Sequence, residues 1–279
     1  MMWIVGIGNL LVGLAYSGLG LLSGWEAFSQ YRRRGLSRFG LGFSLMAASC
    51  GPHHLVHGWC VLNGGTVSPA MLAVTLLGMP AGLVFCLLRL EAMLGGPGDR
   101  ILVASPITIA AWTVAGLGAV GLLAGWSMAS PVTPGLPICT TRGLELVVDE
   151  ATRARELSAL ILFTNLFVSA TYGMVGWYLV ATQVRRYVLH RAWSLSGLSL
   201  AAVFPTCAAM HLILAVTRNH GVATLGFDLL GVPASIYFLW VVRRLHTNAV
   251  IDWNRRPLVG VASVPARDAP WGDSPAVMR

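Results

Sequence analysis

Cys50, His53, His54, His57 and Cys60 set two thiols and three imidazoles at spacings of three, one, three and three residues. At helical pitch these positions fall within an arc of roughly 120° on one face. Imidazole and thiolate are the side chains proteins use to hold Zn, Cu or Fe. Histidines on two separate helices also supply axial ligands to haem. His53 and His57 form an i,i+4 pair and His54 and His57 a competing i,i+3 pair. Whichever pair ligates, the remaining imidazole is available as an outer partner or a proton acceptor.

The elements that carry these groups are membrane-spanning. The chain has 279 residues, of which 56% are hydrophobic and only 11% charged, the profile of a polytopic helical membrane protein. An ionisable side chain in hydrocarbon is costly and by default marks a functional site. The first apolar run, beginning Met1-Met2-Trp3-Ile4, has no basic region ahead of it and no small-residue cleavage pattern, so it reads as a retained span. Five scattered cysteines make no disulfide framework. Every one of the 19 basic residues is arginine, and the lack of lysine excludes a retinal Schiff base.

Windows of about 20 apolar residues predict seven spans, over 3–25, 39–62, 70–94, 101–127, 157–182, 194–217 and 221–245. Arg32, Arg33, Arg34, Arg38, Arg89, Arg100, Arg185, Arg186, Arg191, Arg243, Arg244, Arg255, Arg256, Arg267 and Arg279 fall on one side, against Arg142, Arg153, Arg155 and Arg218 on the other. The net charge of +8 therefore serves topology rather than nucleic acid, and it places the N-terminus outside the cell membrane and the C-terminus in the cytoplasm. Trp3, Trp25, Trp59, Trp126, Trp193 and Trp240 lie near span ends, as an interfacial belt. The loop 128–156 is expected as an external solvated connection, with a surface helix over 143–156 as the alternative. The tail from 246 has the composition of a disordered end.

A shift of 153 residues lays the first three spans on the last three. Leu76-Leu77-Gly78-Met79-Pro80-Ala81 falls on Leu229-Leu230-Gly231-Val232-Pro233-Ala234, Pro52 on Pro205, and Arg32, Arg33 and Arg38 on Arg185, Arg186 and Arg191. The expected architecture is all-α: a three-helix repeat in 1–94, a connector helix and external loop in 95–156, a second repeat in 157–245, and a disordered cytoplasmic tail in 246–279. Both halves run the same way, which implies a pseudo-twofold axis along the membrane normal and a site where the halves meet. In topology alone this plan resembles SWEET-type sugar transporters and seven-helix receptors. The run His53-His54-x-x-His57 resembles in part the histidine boxes of membrane di-iron enzymes, whose further boxes this chain does not contain.

Depth brings the polar groups together. Counting 1.5 Å per residue from the outer span ends places His57, His211 and Asp228 roughly 8–10 Å deep and His53 about 13 Å deep, with Asn165 at a similar level. Prolines precede ligand-type residues in both halves: Pro52 before the three histidines, Pro205 before Cys207 and His211. A proline inside a span frees a carbonyl, which is tolerated where helices line a cavity, and Gly51-Pro52 is expected to start a second half-helix.

These residues predict a transition metal (Cu, Zn or Fe) or haem, bound in the outer half by His53, His54, His57 and His211 with Cys207 and Asp228 as auxiliaries. His57 and His211 would be the ligands if the group were haem. Metal handling, redox work and sensing all suit such a site, and no catalytic residue is assigned. Two other readings stand beside it. One is a proton-coupled transporter of a small polar solute, for which only Thr171 and Tyr172 offer polar groups further in. The other is a non-catalytic sensor or structural subunit whose basic tail docks a cytoplasmic partner. Among the remaining residues, Glu26 is expected to pair with Arg32 and Arg33, Cys86 to be a small core residue, and Cys60 and Cys139 to be unpaired thiols, with a Cys60–Cys139 disulfide as the alternative. His190 and His246 are expected to be solvated, His220 is a loop residue above the pocket, and Gly20 and Gly24 are expected to pack helices.

Overall fold

The computed structural model describes residues 1–64, 67–129, 150–217, 224–247 and 258–259. Seven helices account for nearly all of them: α1 (Met2–Arg34), α2 (Arg38–Leu62), α3 (Pro69–Met93), α4 (Pro106–Ala129), α5 (Glu150–His190), α6 (Leu195–Thr217) and α7 (Leu225–Thr247). Serine sets four of the starts. Its hydroxyl accepts from the backbone N–H three residues on, Ser37 from Gly40 at 3.1 Å, Ser68 from Met71 at 3.2 Å, Ser105 from Thr108 at 3.1 Å and Ser194 from Gly197 at 3.0 Å. Pro69 and Pro106 follow two of these caps at the first helical position, where a missing N–H costs nothing.

Five helices, α1, α3, α5, α6 and α7, contain segments long and apolar enough to cross a membrane. The chain is thus an all-α membrane protein. α2 has the same length as α3, 25 residues, but its three histidines and its serines lower its apolarity, and it lies inside the bundle. Among its described residues, α4 presents an apolar surface on most sides and packs chiefly on α3.

The helices pack as two similar triplets. α1 lies against α2 and α3, α5 lies against α6 and α7, and the triplets engage through α2 on α7 and α3 on α6. Close approach depends on glycine at these crossings. A Cβ on Gly58 would stand 2.7 Å from the Gly6 carbonyl oxygen of α1, and one on Gly78 would stand 2.9 Å from Thr206 Oγ1 of α6. Gly20 and Gly24 likewise face α2, and Ser44 Oγ donates to the Gly20 carbonyl at 2.8 Å.

The arginine-rich end of the bundle is filled by aromatics. Phe39, Phe43, Phe85, Phe204 and Phe238 form one cluster with ring centroids 5.3–6.2 Å apart. Two short antiparallel pairings tie the loops at this end, β1 (Leu36–Ser37) with β4 (Leu258–Val259) and β2 (Ile101–Leu102) with β3 (Trp193–Ser194). Part of the tail expected to be disordered is therefore a paired strand, because its backbone finds an unpaired edge in the α1–α2 turn.

Several local expectations change. Gly51-Pro52 does not open a new half-helix: α2 continues through Pro52, as α3, α6 and α7 continue through Pro80, Pro205 and Pro233. Packing on both sides of α2 holds the turn where a backbone bond is lost. Glu26 pairs with Arg89 of α3 at 3.2 Å, while the side chains of Arg32 and Arg33, its expected partners, lie outside the described ones. Trp193 is buried, not interfacial; its Nε1–H donates to the Ala104 carbonyl and its ring stacks on Tyr187. His246 reaches Thr182 Oγ1 at 3.1 Å, whereas His190 is exposed. Trp126, Cys139, His220 and the stretch 143–149 lie outside the residues whose side chains or backbone are described.

Candidate metal centre

Polar side chains collect in the half of the bundle that holds the N-terminus, and they divide into two groups. In the first, His53 (α2), His211 (α6) and Asp228 (α7) each offer a donor atom within 4.8 Å of the others. In the second, Cys50 (α2), His54 (α2) and Cys207 (α6) do the same. All six are buried. His53 and His54 separate because consecutive helical residues point about 100° apart, so one side chain faces α6 and α7 and the other faces α1.

Hydrogen bonds settle which nitrogen each imidazole presents. Asn9 Nδ2 donates to the Val5 carbonyl at 2.8 Å, which turns its Oδ1 toward His54 Nδ1, 2.7 Å away. An amide oxygen only accepts, so His54 Nδ1 carries the proton and Nε2 is left with a lone pair. Asn165 repeats this: Nδ2 donates to the Ile161 carbonyl at 3.0 Å and Oδ1 lies 2.7 Å from His211 Nδ1. His53 Nδ1 lies 2.8 Å from Asp228 Oδ1, a carboxylate–imidazole pair with both side chains almost fully buried. Asn165 Nδ2 and the Thr224 hydroxyl also bond the Asp228 carboxyl group.

The outward nitrogens tell the rest. Nε2 of His53, His54 and His57 is buried with no hydrogen-bond partner among the described residues. Buried polar atoms are nearly always satisfied, so each exception calls for an explanation. An imidazole whose Nδ1–H is held by an oxygen and whose Nε2 points into a buried site has the arrangement of a metal ligand with its outer partner. Imidazole suits Zn, Cu and Fe, and a carboxylate completes a set of this kind.

The six sequence-predicted ligands therefore do not converge on one point. His53, His211 and Asp228 come together; His54 and Cys207 belong with Cys50 in the other group. His57 stacks over His53 at 6.5 Å between ring centroids but belongs to neither group. Cys60, expected as an unpaired thiol, is disulfide-bonded, while Cys50, Cys86 and Cys207 are free. Cys86 is half-buried, its thiol directed at the Ala15 carbonyl at 3.8 Å.

Two cavities adjoin these groups. One is lined by Asn9, Tyr16, His54, Thr75, Cys207 and Met210 among others; the second by Cys50, His53, Tyr172, His211 and Asp228 among others. Among the described residues, the donor atoms gathered beside these cavities could hold a metal ion.

Asn9, Tyr16, Thr75 and Met210 were not singled out from the sequence. A signal for the first two exists. Asn9-Leu10-x-Val12-x-x-x-Tyr16 recurs as Asn165-Leu166-x-Val168-x-x-x-Tyr172, offset by 156 residues, and Cys50-x-x-x-His54 recurs as Cys207-x-x-x-His211, offset by 157. A single shift of 153 hides both. No protein-family model, no curated protein and no solved structure matches this chain, so a functional reading stands on the chemistry of these residues.

Proposed function

We propose that this is a seven-span membrane protein, N-terminus outside and C-terminus cytoplasmic, that binds a transition metal (Zn, Cu or Fe) through His53 and His211 with Asp228. One observation carries the reading: imidazoles with Nδ1 tied to Asp228 and Asn165, and a His53 Nε2 left unpartnered in a buried site. The uncompensated alternative is costly, since a buried carboxylate requires a cation nearby, and a metal held by His53 supplies one. Metal handling, redox work and sensing are all consistent with such a centre.

The same two-triplet contacts support a duplicated plan: 1–94 and 157–245 as repeats, 95–156 as connector and outer loop, and 246–279 as tail. Orientation draws support from Cys60. It is disulfide-bonded and sits at the end of α2 nearest the N-terminus, and disulfides persist on the oxidising side of a membrane. The phenylalanine cluster argues against transport, because a polar solute would need a path through that end of the bundle.

The test is elemental analysis of untagged protein in mild detergent, followed by titration with Zn, Cu and Fe. At least one tightly held ion in the wild type, and one fewer in His211→Ala, supports the reading. Protein that neither carries nor takes up any of the three sinks it.

A further inference from the structure

The two cavities are copies of one another. Val12, Tyr16, His54, Thr75, Gly78, Thr206, Cys207 and Met210 around the first correspond to Val168, Tyr172, His211, Asp228, Gly231, Ser49, Cys50 and His53 around the second. The offsets are 156 residues between α1 and α5, 157 between α2 and α6, and 153 between α3 and α7. The contacts repeat as well. Tyr16 meets His54 edge-on at 5.6 Å and 84°, and Tyr172 meets His211 at 5.9 Å and 78°. Asn9 holds His54 as Asn165 holds His211, both at 2.7 Å. Asn9 Nδ2 reaches Thr75 Oγ1 at 3.3 Å, and Asn165 Nδ2 reaches the equivalent Asp228 Oδ2 at 3.4 Å.

The copies have diverged in the chemistry of two positions. Where one has the imidazole of His53 and the carboxylate of Asp228, the other has the thioether of Met210 and the hydroxyl of Thr75. The first set is nitrogen and oxygen; the second is sulfur-rich. Cys50 and Cys207, equivalent residues from the two halves, meet between the cavities with their Sγ atoms 3.8 Å apart. That is the edge of a tetrahedron, about 3.8 Å, whose centre is an ion with metal–sulfur bonds of about 2.3 Å. Tyr16 stands beside them, its hydroxyl 3.9 Å from Cys207 Sγ.

We infer that Cys50, Cys207 and His54 form a second metal site, selective for a thiophilic ion such as Cu(I) or Zn(II), distinct from the adjoining His53/His211/Asp228 site on the neighbouring face of α2. Three observations converge on it. The two thiols are free and buried. The donor atoms of all three residues lie within 4.8 Å of one another. His54 Nδ1 is committed to Asn9, and His54 Nε2 is buried without a partner among the described residues. Thiolate and thioether donors select soft ions over the hard ones that carboxylate and imidazole accept. Binding displaces the thiol protons to solvent, and the ion's charge offsets the thiolates in a site that contains no basic side chain of its own. The inference rests on the reading that the buried donors of this bundle hold metal, but the two sites stand or fall separately.

The experiment is metal stoichiometry on reduced, detergent-purified protein, by competition with chromophoric Cu(I) and Zn(II) chelators. The wild type, the double variant Cys50→Ser/Cys207→Ser, the variant His211→Ala and the control Cys86→Ser are compared. The expected result is two ions in the wild type and Cys86→Ser, one in the double-serine variant, and one sulfur-bound ion in His211→Ala. Equal stoichiometry in the wild type and the double-serine variant overturns the second site and leaves the first untouched. A wild type that retains only the ion lost on Cys50→Ser/Cys207→Ser keeps the second site and overturns the first. Should the double variant not fold, X-ray absorption on the wild type decides. Sulfur neighbours at about 2.3 Å support the site, and a shell of nitrogen and oxygen alone for every bound ion overturns it. A Cys50–Cys207 disulfide whose reduction restores no metal binding also overturns it.

Discussion

His53 and Asp228, 175 residues apart, join α2 to α7 through a 2.8 Å contact that solvent does not reach. Each depends on the other. The carboxylate gives the imidazole its tautomer, and the imidazole gives a buried carboxylate the partner it needs.

Removing one side of that pair is expected to cost more than removing both. His53→Ala leaves the buried Asp228 carboxylate with only the neutral partners Asn165 and Thr224, a loss of up to about 3–5 kcal/mol in the metal-free protein. The double variant His53→Leu/Asp228→Leu should recover most of it. Thermal unfolding in detergent measures both, and a single-variant loss under about 1 kcal/mol would show that the pair behaves like an exposed one.

Asp228→Asn keeps the shape of the side chain and removes its charge. As an outer partner to His53, it is expected to weaken metal binding by about 10–100-fold rather than abolish it. A chelator competition series reads the change; an unaltered affinity would separate Asp228 from the site.

Asn9 and Asn165 orient one histidine each, so their effects should not cross. Asn165→Ala is expected to weaken the His53/His211 site about 10–100-fold and Asn9→Ala the thiolate site by a similar factor. Measuring both affinities in both variants gives a two-by-two comparison, and equal losses at both sites would mean a general loosening of the bundle.

The equivalence of the cavities can be tested by making them alike. Thr75→Asp with Met210→His installs the nitrogen–oxygen set beside His54. The expected outcome is an additional Zn(II) that survives Cys50→Ser/Cys207→Ser. No gain in stoichiometry in a folded variant would count against a shared geometry.

Gly78 tests the helix contact that brings α3 to α6. A Cβ there meets Thr206 Oγ1 at 2.9 Å, so Gly78→Ala is expected to destabilise by about 1–3 kcal/mol, the usual cost of overpacking. Thr206→Ala should relieve part of it. Non-additivity in a double-mutant cycle is the readout, and simple additivity would place the strain elsewhere.

The limits of local information are visible residue by residue. Hydrophobic runs and serine caps mark the helices within a few residues, because both signals are local. Counting residues along a helix of known rise put His57 level with His211 and Asp228 and His53 about a turn deeper, whereas packing sets His53 beside His211 and Asp228. Tertiary packing alone decided the rest. It assigned His53 to α7 and His54 to α1, a choice made by helix rotation that no spacing within α2 contains. It gave Glu26 to Arg89 and turned the chain continuously through Pro52, because neighbours in space supply what neighbours in sequence do not.

The repeat shows the boundary most clearly. Sequence by itself determined an all-helical membrane chain with ligand-type residues, and it predicted two similar halves aligned by one shift. Only the packed structure set like residues around two cavities at three different offsets, brought Cys50 to Cys207, and divided the donors into two groups. The physical reason is that loop length sets where a helix begins in the sequence, while side-chain packing sets which residues of two helices share a level. The second can stay constant while the first changes.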